Sequence, residues 1–177
     1  MSRTTNLNGT PMKLVGPEIK VGQKAPGFAM LDIENKEVKL SDSAGKIRLL
    51  SVVHSLDTQV CDLQTQRFEH EASQFPGVVI YAVSMDLPFA QARYCSANNI
   101  QNLKTLSDHR QASFGTAYGV LIENLRLLSR AIFIIDRKDV VHYVQYVPDV
   151  SQSPDFEKAL EALRGIAGVP APAGSPA

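Results

Sequence analysis

The chain has 177 residues, of which 44% are hydrophobic, so it is long enough to bury one core of ordinary size. Its 18 basic residues balance its 18 acidic residues without any block of like charge, which makes nucleic acid and anionic membranes poor candidate partners. The first 13 residues are polar and the longest apolar runs are strand-sized, so we expect neither a secretory signal nor a membrane-spanning helix. A cytoplasmic protein is predicted.

Two strand pairs are predicted in the first part of the chain. Residues 4–14 form a hairpin that turns at Asn8-Gly9, because this dipeptide favours the type I′ turn. Residues 28–32 and 38–40 form a second pair with its turn near Asn35. This part of the chain is therefore predicted to be β-structure.

From residue 47 the pattern changes to an alternation of strands and helices. Residues 47–53 and 78–84 are nearly continuous apolar runs, which is typical of strands buried on both faces. Between them a helix is predicted from about Thr58 to residue 75, where Pro76-Gly77 ends it. The side chains expected on its buried side, at a period near 3.6 residues, are Val60, Leu63, Phe68, Ala72 and Phe75.

The second half of the chain continues this alternation. Asp86 and Pro88 open a shorter helix that reaches Cys95, residues 131–135 and 140–146 form a strand pair, and a last helix starts at residue 153. Its inward side chains are predicted to be Phe156, Ala159, Leu160 and Leu163. The order predicts one α/β domain over residues 1–164, with a mixed central sheet flanked by helices. Residues 165–177 form a Gly/Ala/Pro-rich tail that we expect to be disordered.

Cys61 lies in the first turn of the helix that follows the first buried strand. Only a thiolate is a good nucleophile, and lowering a thiol pKa from about 8.5 to about 6 requires roughly 3.4 kcal/mol. A helix N-terminus supplies about 0.3–1 kcal/mol and at most about 2 kcal/mol. A nucleophilic cysteine here would therefore also need a cation and hydrogen-bond donors. Thr58 is a candidate for such a hydroxyl, and the alternative is that it only caps the helix, which Asp57 or Ser55 could also do.

The sequence lacks the motifs of zinc sites, of serine hydrolases and of phosphate-binding loops. The histidines lack the close Cys/His pairs of a zinc signature, and neither a Gly-x-Ser-x-Gly elbow nor a phosphate-binding glycine loop is present. We therefore expect no metal and no organic cofactor. The two cysteines, Cys61 and Cys95, are either a redox pair or two buried thiols that act as small apolar side chains.

Residues 57–62 (DTQVCD) and 84–95 (SMDLPFAQARYC) resemble the thiol peroxidase subfamily of the peroxiredoxins, the atypical two-cysteine type. Thr-x-x-Cys alone would be a weak signal, but together with the second segment and its cysteine it is specific. Further matching segments are residues 105–108 (TLSD), 118–120 (YGV), 129–136 (SRAIFIID) and 154–157 (PDFE). The resemblance runs from about residue 4 to residue 163.

The resemblance implies a thioredoxin-like fold with an N-terminal β-hairpin extension, assembled as a homodimer. It implies that Cys61 is the peroxidatic cysteine, that Thr58 orients the peroxide and that Arg130 polarises peroxide and thiolate. Cys95 would be the resolving cysteine, so that a Cys61 sulfenic acid becomes a Cys61–Cys95 disulfide. The implied substrates are hydrogen peroxide and alkyl hydroperoxides, and the implied reductant is thioredoxin.

His54 departs from the family pattern, which has a proline four residues before the threonine. A histidine is larger, can titrate and leaves φ unrestricted. The leading hypothesis is an active enzyme with an altered pocket, and the alternative is a redox sensor or a weakly active variant. A thioredoxin-like dithiol carrier is disfavoured, because Gln64 stands where a Cys-x-x-Cys motif would place its second cysteine.

Overall fold

The computed structural model describes residues 2–171. Its centre is a seven-stranded sheet in the order β11-β10-β5-β6-β7-β3-β4. The strands are β3 (Ala29–Leu31), β4 (Glu37–Lys39), β5 (Arg48–Val52), β6 (Val79–Ser84), β7 (Lys104–Ser107), β10 (Ala131–Ile135) and β11 (Val141–Tyr146). Strands β5, β6 and β7 are parallel and the other pairs are antiparallel. The predicted mixed central sheet is confirmed.

Helices and a smaller sheet surround this centre. The helices are α1 (Gln59–Ala72), α2 (Pro88–Ala97), α3 (Ser113–Ala117) and α4 (Phe156–Ala167), with a short 3₁₀ turn at Leu40–Ser43. The smaller sheet has the order β1-β2-β8-β9, from Thr4–Leu7, Thr10–Val15, Leu121–Ile122 and Leu127–Leu128. Within residues 2–171 no helix is long and apolar enough to cross a membrane.

The central sheet is buried on both faces, and its inner strands are predominantly apolar. Alternate side chains of a strand point to opposite faces. In β10, Phe133 packs with Phe114 of α3 on one face, whereas Ile132 and Ile134 pack with Leu160 of α4 on the other. This two-sided burial is the reason that β5, β6 and β10 appear in the sequence as continuous hydrophobic runs.

The N-terminal hairpin forms at the predicted turn and is held against the loop that follows β11. Asn8 and Gly9 have φ values of 51° and 81°, as a type I′ turn requires. Their amides donate to the two carboxylate oxygens of Asp149, at 3.1 and 2.8 Å. The hairpin turn is thereby fixed beside residues 149–151, which later form part of the wall of the candidate site.

The helix α1 differs from the prediction in the face that it buries. Leu63, which we expected on the buried side, is 55% exposed, whereas Gln64 and Thr65 are 0% exposed. The helix also ends at Ala72 rather than near residue 75. Phe68 and Phe75 are buried as predicted. The prediction was wrong for Leu63 because it assumed that the buried face is entirely apolar, whereas this face contacts a buried polar group described below.

Other differences lie between residues 98 and 130 and at the C-terminus. Strands β7, β8 and β9 and the helix α3 were not predicted from periodicity, since each has five residues or fewer. The helix α4 begins after Asp155, whose carboxylate accepts from the Lys158 amide, and continues through Ala167. Residues 165–167 of the predicted tail are therefore helical, and residues 172–177 lie outside the described part of the chain.

Two glycines with the same backbone conformation give a test of how the hairpin docks. Gly16 and Gly22 have φ values of +94° and +95°, but a Cβ at Gly16 would lie 1.9 Å from the Thr116 carbonyl oxygen, whereas one at Gly22 meets nothing within 4 Å. We expect Gly22→Ala to cost about 1–2 kcal/mol of unfolding free energy from φ alone. Gly16→Ala should cost about 1–3 kcal/mol more, because backbone must move. Urea unfolding of both variants measures the difference, and equal losses would contradict close packing at Gly16.

Candidate active site

The loop before α1 is fixed to the end of β6 by one carboxylate. Asp86 accepts hydrogen bonds from the hydroxyls of Ser55 and Ser84, at 2.8 and 2.7 Å. It also accepts one from the Leu56 amide at 2.8 Å. A carboxylate has enough lone pairs to serve all three donors. This anchor sets where α1 begins, and it places Cys61 in the first turn of the helix.

Arg130 meets Cys61 in the protein interior. The arginine is 1% exposed and the cysteine 0% exposed, and the arginine Nη2 donates to the cysteine Sγ at 3.3 Å. The contact follows from the sheet order, because α1 comes after β5, Arg130 directly precedes β10, and the two strands are neighbours. The structure therefore brings together two of the residues that the resemblance selects.

The other hydrogen bonds of the Arg130 guanidinium go to uncharged groups. Nε and Nη2 of Arg130 donate to the Val150 carbonyl oxygen at 3.0 and 2.7 Å, and Nη1 donates to the Gln64 Oε1 at 2.9 Å. Arg48 is also buried, but it is paired with the Asp139 carboxylate, whereas Arg130 has no carboxylate partner within residues 2–171. A buried cation without a counter-ion is costly, so Arg130 favours a negative charge on the neighbouring sulfur.

Gln64 is a site residue that the sequence reasoning missed. It is 0% exposed, its Oε1 accepts from Arg130, and its Nε2 donates to the Ser51 hydroxyl at 2.8 Å. It lies one helical turn after Cys61 and one before Phe68, so all three share the buried face of α1. A polar residue at helical spacing between two buried positions is the signal that could have identified it.

Thr58 is exposed and lies at the N-cap position of α1, with extended φ and ψ. Its side chain makes no capping hydrogen bond; instead its hydroxyl donates to the Ser55 carbonyl oxygen at 2.9 Å. The simple capping role is therefore not observed. Because the hydroxyl hydrogen is engaged, the oxygen lone pairs are left to accept a hydrogen bond from another molecule.

An open cavity of about 210 Å³ lies above this arrangement. Its wall includes Thr58 and Val60 from the start of α1, His54 from the preceding loop, and Leu7 from the N-terminal hairpin. Arg130 also lines it, so the cavity reaches the guanidinium that donates to the Cys61 sulfur. The cavity is mostly apolar, with one cation at its inner end.

Cys95 lies in the last turn of α2 and is half-buried. Its Sγ is 3.5 Å from the Thr105 hydroxyl of β7. Burial raises the pKa of the Cys95 thiol, so this thiol is protonated at neutral pH. Cys61 and Cys95 are both free thiols, and both belong to one small apolar cluster with Leu56 and Tyr94.

The residues adjacent to the two cysteines bind each other. Asp62, which follows Cys61, accepts a 2.6 Å hydrogen bond from the hydroxyl of Tyr94, which precedes Cys95. Burial, and then this hydrogen bond, raise the pKa of Tyr94 well above its usual value, so the hydroxyl remains a donor. A second bond joins the Gln66 amide to Asn98 at 3.0 Å. Helices α1 and α2 are thus bound to each other by two side-chain hydrogen bonds, one of them between neighbours of the two cysteines.

His54 is half-buried at the wall of the cavity, and its Nδ1 lies 3.0 Å from the Leu128 carbonyl oxygen. Burial lowers the pKa of His54, and the nearby Arg130 charge acts in the same direction. Within residues 2–171 no three or more Cys, His, Asp or Glu side chains come together as a metal site would require.

The AhpC/TSA family profile matches residues 21–144. A thiol peroxidase of Halalkalibacterium halodurans is 54% identical over 158 residues, which is 89% of this chain and 95% of that protein. A thiol peroxidase of Bacillus subtilis is 48% identical over 160 residues, 90% of this chain and 96% of that protein. The chain belongs to the AhpC/TSA family. It is an oxidoreductase of the peroxiredoxin type.

The solved structures agree with this assignment. A peroxiredoxin-like protein from Aquifex aeolicus superposes with a TM-score of 0.88 at 40% identity, over 94% of this chain and 98% of that chain. The thioredoxin-like peroxiredoxin fold that the sequence resemblance implied is confirmed. The Cys61–Arg130 contact therefore lies in a peroxiredoxin-type protein. In general, a cation next to a cysteine favours the nucleophilic thiolate form.

Replacing Gln64 tests whether the reactivity of this peroxiredoxin depends on Arg130 having no carboxylate partner. In Gln64→Glu a carboxylate would take the place of the neutral oxygen 2.9 Å from Nη1, so the guanidinium would be shared between two anions. We expect the second-order rate constant of Cys61 with hydrogen peroxide to fall about tenfold to a hundredfold, or about 1.4–2.7 kcal/mol. Stopped-flow measurement gives this constant.

The matched control is Gln74→Glu, which adds the same charge at an exposed position after α1 ends. It should leave the rate constant within about twofold, because an exposed charge is screened by solvent. If the two variants react equally fast, the Gln64–Arg130 contact has no part in reactivity.

Proposed function

We propose that this protein is a thiol peroxidase that reduces hydroperoxides with Cys61 and resolves the oxidised product with Cys95. The observation that carries the proposal is the buried Arg130 guanidinium, which lines an open cavity on one side and bonds to the Cys61 sulfur on the other. Its other hydrogen bonds go to neutral oxygens, so the thiolate is its counter-ion.

In the first step the Cys61 thiolate attacks the terminal oxygen of the hydroperoxide. The O–O bond breaks as the S–O bond forms, Cys61 becomes a sulfenic acid, and the departing oxygen takes a proton from solvent to leave as water or an alcohol. Arg130 can donate to the oxygen on which negative charge develops. Thr58, whose oxygen has free lone pairs, can accept from the peroxide O–H and orient it.

In the second step the Cys95 thiol condenses with the Cys61 sulfenic acid, forming the disulfide and releasing a second water. A disulfide requires the two Cα atoms to lie about 4.4–6.8 Å apart. The cysteines are on different helices, which the Tyr94–Asp62 and Gln66–Asn98 bonds hold together. We propose that these bonds break so that one end of α1 or α2 can move.

In the third step a dithiol carrier reduces the disulfide by exchange, becoming oxidised itself as both cysteines return to thiols. We propose thioredoxin as this carrier and a homodimer as the working form. Exposed apolar side chains near the site, Leu63, Leu87 and Phe89, are 55%, 51% and 73% exposed and offer a surface for such partners. The cavity volume of about 210 Å³ is several times that of a water molecule, so it can admit both hydrogen peroxide and alkyl hydroperoxides.

A second candidate is a redox sensor or a weakly active enzyme, and the half-buried His54 at the cavity wall is the observation that favours it. Such a protein would form the disulfide with peroxide but would consume little peroxide in the steady state with thioredoxin. The experiment that tests the main proposal also separates this candidate from it.

The cysteine variants give the test. With hydrogen peroxide and reduced thioredoxin, we expect sustained turnover of the wild type and a loss of at least about a thousandfold in Cys61→Ser. Cys95→Ser should keep a first turnover but lose the coupling to thioredoxin, because no resolving thiol remains in the chain. Undiminished turnover in Cys95→Ser would remove its assigned role, and a single turnover of the wild type would favour the sensor.

Removing the Tyr94 hydroxyl tests whether the bond to Asp62 restrains disulfide formation. A hydrogen bond to a charged group contributes about 1.5–3 kcal/mol, so Tyr94→Phe should form the Cys61–Cys95 disulfide about tenfold faster after the first oxidation. Pre-steady-state quenching with a thiol-blocking reagent follows the disulfide directly. Tyr143→Phe, which removes a hydroxyl on β11 away from the cysteines, is the control. An unchanged or slower rate in Tyr94→Phe would show that this bond is not the restraint.

A further inference from the structure

The protonation pattern of the His54 ring is set by one hydrogen bond. Nδ1 lies 3.0 Å from the Leu128 carbonyl oxygen, and a carbonyl can only accept, so Nδ1 carries the hydrogen. In the neutral ring Nε2 is then an unprotonated acceptor. Among the described residues nothing donates to Nε2, and it is not one of the buried polar atoms left without a partner. It is therefore accessible to solvent, and the His54 side chain belongs to a residue that lines the cavity.

The charges around His54 keep this acceptor available. Arg130, at the start of β10, opposes a second proton, and Asp86, after β6, favours one. Burial has the largest effect, and together these influences lower the pKa of His54, so the ring is neutral at pH 7. Arg130 in turn donates to the Cys61 sulfur of α1.

The cavity consequently offers two hydrogen-bond acceptors next to one donor. Arg130 can only donate, whereas Thr58, with its hydrogen engaged by Ser55, and neutral His54 can both accept. Hydrogen peroxide carries two O–H donors, but an alkyl hydroperoxide carries only one. Two acceptors beside a cation therefore match hydrogen peroxide better than they match an alkyl hydroperoxide.

We propose that His54 is a specificity-determining residue, whose Nε2 accepts the second O–H of hydrogen peroxide and so favours this substrate over alkyl hydroperoxides. The inference rests on the proposed peroxidase function of Cys61 and concerns only the choice of substrate. The proline expected at this position from the sequence resemblance has no side-chain acceptor, so the preference belongs to this chain.

The test compares kcat/KM for hydrogen peroxide with kcat/KM for tert-butyl hydroperoxide. His54→Asn places an amide N–H at the position of Nδ1, which preserves the bond to Leu128 but removes the Nε2 acceptor. We expect kcat/KM for hydrogen peroxide to fall about tenfold and that for tert-butyl hydroperoxide to change less than about twofold, as one hydrogen bond is lost. His54→Gln, whose carbonyl oxygen can reach the position of Nε2, should restore part of the preference. The control is His142→Asn, at an exposed position on β11.

The pH dependence of the same ratio in the wild type needs no substitution. Protonation of His54 at acid pH converts the Nε2 acceptor into a donor, so the preference for hydrogen peroxide should decline as pH falls below neutrality. Ionisation of Cys61 affects both substrates alike and cancels in the ratio. In His54→Asn the ratio should be independent of pH.

The outcomes separate the two proposals. A ratio that is the same in the wild type and in His54→Asn, or equal losses for both substrates, would overturn the role of His54 while leaving the peroxidase proposal intact. A wild type whose Cys61 reacts with neither peroxide would overturn the proposed function and the inference together. A fall in the ratio that His54→Gln partly reverses would support the inference, since a general loss of structure would not discriminate between the substrates.

Discussion

A buried guanidinium beside a buried thiol is the constraint on which the rest of this structure depends. Taking an arginine out of water costs several kcal/mol unless its charge and its hydrogen-bond donors are satisfied. The protein satisfies the donors of Arg130 with neutral oxygens from Val150 and Gln64 and with the Cys61 sulfur, and no carboxylate pairs with it within residues 2–171. Arg48 is instead paired with the Asp139 carboxylate, and it has no part in the site. The two arginines are equally buried, but only Arg48 is paired with a carboxylate within the described residues.

The topology of the sheet makes this arrangement possible. The parallel strands β5 and β6 end at the same edge, so the loop that starts α1 and the loop that carries Asp86 meet there. The antiparallel strand β10 begins at that edge beside β5, which delivers Arg130 to the same place. The N-terminal hairpin lines one side of the cavity, and Asp149 binds its turn there. Segments that are distant in the sequence thus each contribute part of the cavity wall.

In the described structure both cysteines are free thiols, and the contacts between α1 and α2 beside them oppose the movement that a disulfide would require. Tyr94 and Asp62 bind each other at 2.6 Å beside the two cysteines, which favours the state with free thiols in which peroxide would react. A disulfide between the same cysteines would require that bond to be given up. In the proposed cycle, these contacts between α1 and α2 would stabilise the free-thiol state and oppose disulfide formation.

The sequence by itself determined the local features: the type I′ turn at Asn8-Gly9, the strands buried on both faces and the position of Cys61 in the first turn of a helix. These depend on residues close together in the chain, their order predicts the α/β class, and the family resemblance adds the candidate arginine. Only the tertiary structure decided that Gln64 rather than Leu63 faces inward, that α1 and α2 are bound together, and that His54 lines the cavity with its Nδ1 beside the Leu128 carbonyl oxygen. Each of these depends on a partner far away in sequence, Arg130, Tyr94 or Leu128, and no local propensity contains that information.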